Sequence, residues 1–267
     1  MPQAVPSSGR SFAELTDPST PLDVPPDWLQ GRTVFGGLQA AAALRALEER
    51  IDPARAVRSL SVCFVGPTGH EAMAIEPHIL REGGTVTHAR ADVIGSEGVA
   101  CTLTAAFGKD RASSVAREPQ RADVPDEIGG LALPYLPGIT PSFVQHFDIR
   151  WVSGQPPFTA AEGPLAHEGW CRHRTDPGPV VPALLGLLDA WPSPALQALK
   201  GPAPASSVTW SAQLCHVPEA VTPDDAFYFR ARVLSAPGSA YVTMRGELYD
   251  RAGLLVAHLE QLVTVYG

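Results

Sequence analysis

Residues Val180–Trp191 read VVPALLGLLDAW. At helical spacing Val181, Ala183, Leu184, Leu185, Leu187 and Leu188 surround the axis, and the lone charge, Asp189, falls at the C-terminal end. A helix that is apolar nearly all round must be enclosed. Pro182 suits its first turn. The run is interrupted by Pro182 and Asp189 and falls short of the ~18–20 apolar residues of a membrane span. The enclosure therefore has to come from the rest of the chain.

Outward from this helix the pattern is strand-like. Val208–Leu214 ends at His216-Val217-Pro218, and Ala226–Leu234 ends at Ala236-Pro237-Gly238. Ala240–Tyr249 and Leu254–Val265 flank the turn Asp250-Arg251-Ala252-Gly253. Phe143–Val152 and Leu165–Arg174 precede the helix as further strands. The first half repeats the plan. A helix is expected from about Gly36, with Leu44, Leu47 and Ile51 on one face and Arg45, Glu48 and Glu49 on the other, stopped by Asp52-Pro53. Strands Leu60–Val65, Ala72–Leu80, Val86–Ile94 and Val99–Phe107 follow.

The spacings suggest duplication. Gly37 to Pro67 is 30 positions and Asp189 to Pro218 is 29; Gly84 to Gly98 is 14 and Gly238 to Gly253 is 15. One helix followed by an antiparallel meander, twice, predicts an α+β architecture in which a curved sheet wraps each helix. Lys109–Thr140 is polar, carries four prolines and lacks periodicity. The expected division is an N-terminal unit 1–115, a linker 116–140 and a C-terminal unit 141–267.

Composition limits the function. The 267 residues are 45% hydrophobic and 18% charged, which excludes disorder as the main state. Twenty basic against 28 acidic residues give a net charge of −8, so binding nucleic acid through a broad basic field is not expected. Cys63, Cys101, Cys171 and Cys215 are far apart with no CxxC pair, and the N-terminus has no secretory character. A cytoplasmic protein with reduced thiols is expected. No GxGxxG, P-loop or HExxH motif occurs, so no cofactor and no metal are expected. The cluster His167, Cys171, His173 lacks a second ligand pair, and strand alternation accounts for it.

Four stretches together carry a resemblance. Arg32–Gly37 (RTVFGG) runs into a helix. Leu60–Pro67 (LSVCFVGP) is a strand ending in a Gly-Pro turn. Leu80–Val93 (LREGGTVTHARADV) is a strand–turn–strand, and Gly246–Gln261 (GELYDRAGLLVAHLEQ) closes the chain. In this order and spacing they resemble the type II acyl-CoA thioesterase family, which has a double hot-dog fold. The resemblance implies hydrolysis of acyl-CoA thioesters in fatty acid metabolism, no membrane or nucleic-acid partner, and further pairing into a homo-oligomer.

It also implies site residues: Asp189 on the second helix, Ser207 on the next strand and Gln261 on the last strand, holding the attacking water. A carboxylate at the end of an apolar helix has its pKa raised by burial and by the helix C-terminus, which suits a general base. Gln261 can donate and accept but cannot act as base. Alternation puts Ser207, Thr209 and Ser211 on one face, so the sequence leaves open whether Ser207 or Thr209 meets the substrate. Phe35-Gly36-Gly37 would bind the thioester carbonyl through unpaired amides at a helix N-terminus; the helix holding Asp189 is the alternative source of such amides. Phe64, Phe107, Trp151, Trp170 and Phe229 are candidates to line an apolar tunnel. Arg58, Arg81 and Arg90 are candidate phosphate contacts, although solvated surface is the plainer reading. No GxSxG elbow is present, and without any Asn the D-x-N-P-x-H motif of the related hydratases is impossible. A non-catalytic acyl-CoA or acyl-carrier binding module is the alternative.

Overall fold

The computed structural model describes residues 4–266. A short helix α1 (Phe12–Leu15) opens the chain, followed by β1 (Leu22–Asp23), β2 (Leu29–Gln30) and β3 (Thr33–Val34). Helix α2 (Gly36–Glu48) leads into β4 (Ala56–Phe64), β5 (Ala72–Glu82), β6 (Val86–Gly95) and β7 (Gly98–Gly108). Then β8 (Leu131–Ala132), β9 (Phe147–Ser153) and β10 (Ala166–His173) precede helix α3 (Val180–Asp189). After it come β11 (Ala205–Leu214), β12 (Phe227–Ser235), β13 (Tyr241–Tyr249) and β14 (Leu255–Val265).

Twelve strands form one antiparallel sheet in the order β1-β5-β6-β7-β4-β11-β14-β13-β12-β10-β9-β8. The order β4-β7-β6-β5 is repeated as β11-β14-β13-β12. The halves join where β4 pairs with β11, with Ser61 opposite Ser211 and the pairs Thr209–Cys63 and Gln213–Ser59 disposed evenly about them. A shift of 150 positions carries each of these pairs onto the other, so a pseudo-two-fold axis passes between the two serines. Both units carry a bulge at the same place, between Val57 and Ser59 and between Ser207 and Thr209.

The sheet wraps the two helices, which pack on each other. Enclosure of α3 is complete from Pro182 to Leu188, and Ala40–Ala43 of α2 are equally buried. Small side chains allow this closeness: a Cβ on Gly186 would stand 3.0 Å from the Phe12 ring and 3.1 Å from the His173 ring. The double hot-dog α+β architecture expected from the sequence is thus the one observed.

Two sequence expectations need revision. The 30- and 29-residue spacings compare opposite ends of the helices, since Gly37 opens α2 and Asp189 closes α3; the repeat is carried by strand order and register. Residues 116–140 do more than connect. Ala122, Val124 and Ile128 cover Trp170, Tyr228 and Tyr249 on the outer face of the sheet, β8 adds an edge strand, and Leu133, Leu136 and Ile139 line a cavity beside α3. An apolar outer patch explains why a polar, proline-rich stretch is held down.

Candidate active site

Asp189 is the last residue of α3, and its Oδ2 accepts a hydrogen bond from Gly37 N–H at 2.7 Å. The antiparallel packing of the helices sets the C-terminus of α3 against the N-terminus of α2, where backbone amides lack helical partners. Only glycine fits there. A Cβ on Gly36 would lie 2.9 Å from Asp189 Oδ2 and 3.0 Å from the Phe64 ring; one on Gly37 would lie 2.7 Å from the Phe35 ring. Asp189 lies deep in the protein yet keeps a strip of surface on a cavity. That burial pushes its carboxyl up to about 7, with the Gly37 amide pulling the other way.

On the facing sheet, Gln261 Nε2 donates to Ser207 Oγ at 2.5 Å. Trp210 and Val263, their cross-strand partners, lie in the core, so Ser207 and Gln261 point to the helix side. The bulge at Val208 breaks the alternation that the sequence suggests. Thr209 is turned to the opposite face, exposed, in an outer groove with Ser61, Cys63 and Thr102. The structure therefore separates Thr209 from Ser207 and places it away from Asp189.

Two cavities meet at these residues. The larger, about 360 Å³, is lined by Asp189, Ser207 and Gln261 together with Leu133, Phe143, Phe158, Trp191 and Leu196. The smaller, about 230 Å³, runs past Gly36, Gln39, Phe64, Pro67 and Ser207. Gln30, Ala205, Ser206 and Ser207 border both. The first is predominantly apolar, while the second is flanked by the β2–β3 hairpin and the loop after β4. Gln39 Nε2 donates to Val34 O and Thr68 Oγ1, both at 3.3 Å, tying the first turn of α2 to that loop.

Other expectations fall differently. Phe35 is fully buried and stacks on Phe143 at 4.2 Å, bracing the larger cavity from behind. Of the five aromatic residues expected to line a tunnel, Phe64 lines the smaller cavity. Phe107, Trp151 and Phe229 are core residues, and Trp170 lies on the outer face. The lining residues missed include Phe143, Phe158, Trp191 and Leu196, and Leu133, Leu136 and Ile139 of the connecting stretch, where the lack of periodicity left no signal. Arg58 pairs with Asp110 and Arg90 with Asp92, and neither lines either cavity.

His167, Cys171 and His173 serve packing. His167 stacks on Trp191 at 5.3 Å, and burial pushes it down to about 3; His173 Nε2 lies 3.0 Å from Ala183 O and is pushed down to about 4. Among the described residues no group of His, Cys, Asp and Glu is arranged to hold a metal ion.

The two ends of the helix pair differ in the residues the duplication brings to equivalent places. Register equates Ser207 with Val57 and Gln261 with Ala105, because Val57 pairs with Phe107 as Ser207 pairs with Val263, and Leu60 with Ala105 as Trp210 with Gln261. The other end of the helix pair thus carries valine and alanine in place of the hydroxyl and the amide. Glu48, which closes α2, is held by Arg45 at 3.0 Å.

Two wrapped helices in one continuous sheet, with an end-of-helix carboxylate and a serine–glutamine pair lining one cavity, define a double hot-dog protein with a candidate site at one end of the helix pair. Residues 24–108 match the acyl-CoA thioesterase N-terminal domain and residues 114–265 the acyl-CoA thioesterase C-terminal domain. The chain belongs to the acyl-CoA thioesterase family, and its class of chemistry is thioester hydrolysis. Among solved structures it is similar to a conserved hot-dog protein of unknown function from Alicyclobacillus acidocaldarius (23% identity, TM-score 0.81, covering 96% of this chain and 98% of that one). It is also similar to an acyl-CoA thioesterase II from Mycobacterium marinum (19%, TM-score 0.67, 87% and 89%). The tesB protein of Mycobacterium avium subsp. paratuberculosis is a third (18%, TM-score 0.68, 92% and 91%). Among curated proteins no sequence match is found.

Proposed function

We propose that the chain hydrolyses acyl-CoA thioesters by direct attack of water, with Asp189 as general base. One observation carries this reading: a carboxylate whose pKa is pushed up to about 7 shares a cavity with the hydrogen-bonded pair Ser207–Gln261. A base with a pKa near working pH is ionised often enough to act and basic enough to take a proton.

The acyl chain occupies the apolar cavity and the pantetheine arm the smaller, more polar one, so the thioester carbon sits where they meet. Gln261 spends an N–H on Ser207, which leaves Ser207 O–H and Gln261 Oε1 to hold the water. Asp189 takes one proton of that water as its oxygen bonds to the carbonyl carbon. The developing oxyanion lies by the start of α2, where Gly36 N–H has no partner among the described hydrogen bonds. The C–S bond then breaks, and the proton on Asp189 passes to the departing thiolate. No covalent acyl-enzyme is formed. Four free cysteines, with Cys101 and Cys171 buried, suit a reducing, cytoplasmic setting for fatty acid metabolism.

The test is release of free thiol from acyl-CoA by wild type and by Asp189→Asn. The substitution is expected to lower kcat by on the order of 10²–10⁴ while the fold stays intact. Turnover equal to wild type removes Asp189 from the mechanism. Binding of acyl-CoA by wild type without thiol release would instead identify a non-catalytic acyl-binding module.

A further inference from the structure

The larger cavity is roofed by the loop between β9 and β10, and that loop holds a conformation an unconstrained chain would leave. Phe158 has φ +67° and Ala160 φ +52°, left-handed values that cost a residue with a Cβ. Such strain persists only where the surroundings impose it. Here they do. Phe158 N–H donates to Leu196 O at 2.8 Å, Ala160 N–H to Leu199 O at 2.9 Å and Ala161 N–H to Gln197 O at 2.8 Å. Within the loop, Thr159 Oγ1 donates to Pro156 O at 2.9 Å, and Pro156-Pro157 restricts the approach. The loop is thus stitched to the 3₁₀ turn Pro194–Ala198, which follows α3 and carries Leu196 into the same cavity.

Packing of the fold does not require this. Phe158 is only half-buried and belongs to neither hydrophobic core cluster. What the strained backbone does is hold an aromatic side chain, next to Pro157, at the wall of the cavity that also contains Asp189. Leu136 and Ile139, which line the same cavity from the connecting stretch, are 42% and 74% exposed. Phe158, by contrast, is pinned through its backbone.

We propose that Phe158 is a specificity-determining residue that limits how far an acyl chain extends beyond the thioester. The proposal rests on the hydrolase reading of the Asp189 site and adds which side chain sets its preference. Removing the ring opens the roof, so longer chains gain buried contact while the shortest gain none. Each additional methylene accommodated in an apolar pocket is worth a severalfold change in kcat/KM.

The experiment compares wild type, Phe158→Ala and Phe158→Gly on a series of straight-chain acyl-CoAs, from short to long, by thiol release. Both variants should move the optimum to longer chains, with kcat/KM for the longest rising about tenfold relative to that for the shortest. Phe158→Gly should melt higher than Phe158→Ala, since glycine alone relieves the left-handed strain while both lose the ring. The same series of free fatty acids, read as a rise in melting temperature, needs no turnover and should show the same shift in preferred length. Chain-length profiles of both variants that superimpose on wild type, in hydrolysis and in fatty-acid binding, overturn the proposal. Wild type that releases no thiol but whose fatty-acid preference still shifts on substitution overturns the hydrolase reading and leaves Phe158 in its role.

Discussion

At the scale of single residues, Asp189 links function to stability through one proton. Its carboxyl moves from 3.8 to about 7 on folding because burial disfavours the charged form. The folded state therefore holds that proton more tightly than the unfolded chain. The associated stability is complete below about pH 4 and is lost as pH rises through about 7, a difference of up to about 4 kcal/mol. Asp189→Asn carries no charge at any pH. In denaturant titrations the variant should exceed wild type in stability by a few kcal/mol at about pH 8, and the gap should close near pH 4. A gap that is constant with pH would mean that Asp189 is not buried as described. In the active protein, kcat/KM should rise with pH through about 7, because the base must be ionised. Ser207 and Gln261 form one hydrogen-bonded pair, so on the proposed mechanism Ser207→Ala and Gln261→Ala should each cost roughly 10–10² in kcat and their combination little more than the worse one. Fully multiplicative losses would show two independent roles.

At the scale of elements, the start of α2 decides where the Asp189 carboxylate sits. Gly36 and Gly37 let the helix N-terminus come within 2.7 Å of the Asp189 carboxylate. Gly36→Ala would set a methyl 2.9 Å from Oδ2 and 3.0 Å from the Phe64 ring. The carboxylate must then move, and a displaced base costs much of its effect. We expect kcat to fall 10²-fold or more, with a stability loss of about 1–3 kcal/mol from overpacking; thiol-release kinetics and thermal melts read the two separately. The elements also show what was legible in the sequence. The apolar circumference of α3 required an enclosing sheet, and the turns Gly83-Gly84 and Ala252-Gly253 marked the meanders. The pairing of Asp189 with Gly37, 152 positions apart, follows from antiparallel packing of the helices, which periodicity does not encode. The choice of Ser207 over Thr209 was equally hidden. It depends on a one-residue bulge at Val208, and a valine within a β-rich stretch carries no mark of being unpaired. The candidates Asp189, Ser207 and Gln261 came from the family resemblance, not from the residue pattern alone.

At the scale of the whole molecule, duplication without symmetry of function is the governing fact. The pseudo-two-fold between Ser61 and Ser211 maps one helix–sheet unit on the other, yet the polar residues persist at one end only. Val57 and Ala105 occupy the places of Ser207 and Gln261, and a valine and an alanine cannot orient a water. The first unit contributes instead the amide that touches Asp189: the second holds the carboxylate, hydroxyl and carboxamide, the first the helix N-terminus against that carboxylate. The connecting stretch belongs to the same division of labour, since Leu133, Leu136 and Ile139 close the apolar cavity on the catalytic side. On the proposed reading of the Asp189 site, one chain binds one substrate. Calorimetric titration with a non-hydrolysable thioether analogue of an acyl-CoA should saturate at one ligand per chain, and Gly36→Ala, which alters only the first unit, should weaken that binding as well as turnover. Saturation at two ligands per chain would mean that the end bearing Val57 and Ala105 still binds, and that register equivalence does not decide which end of the fold is functional.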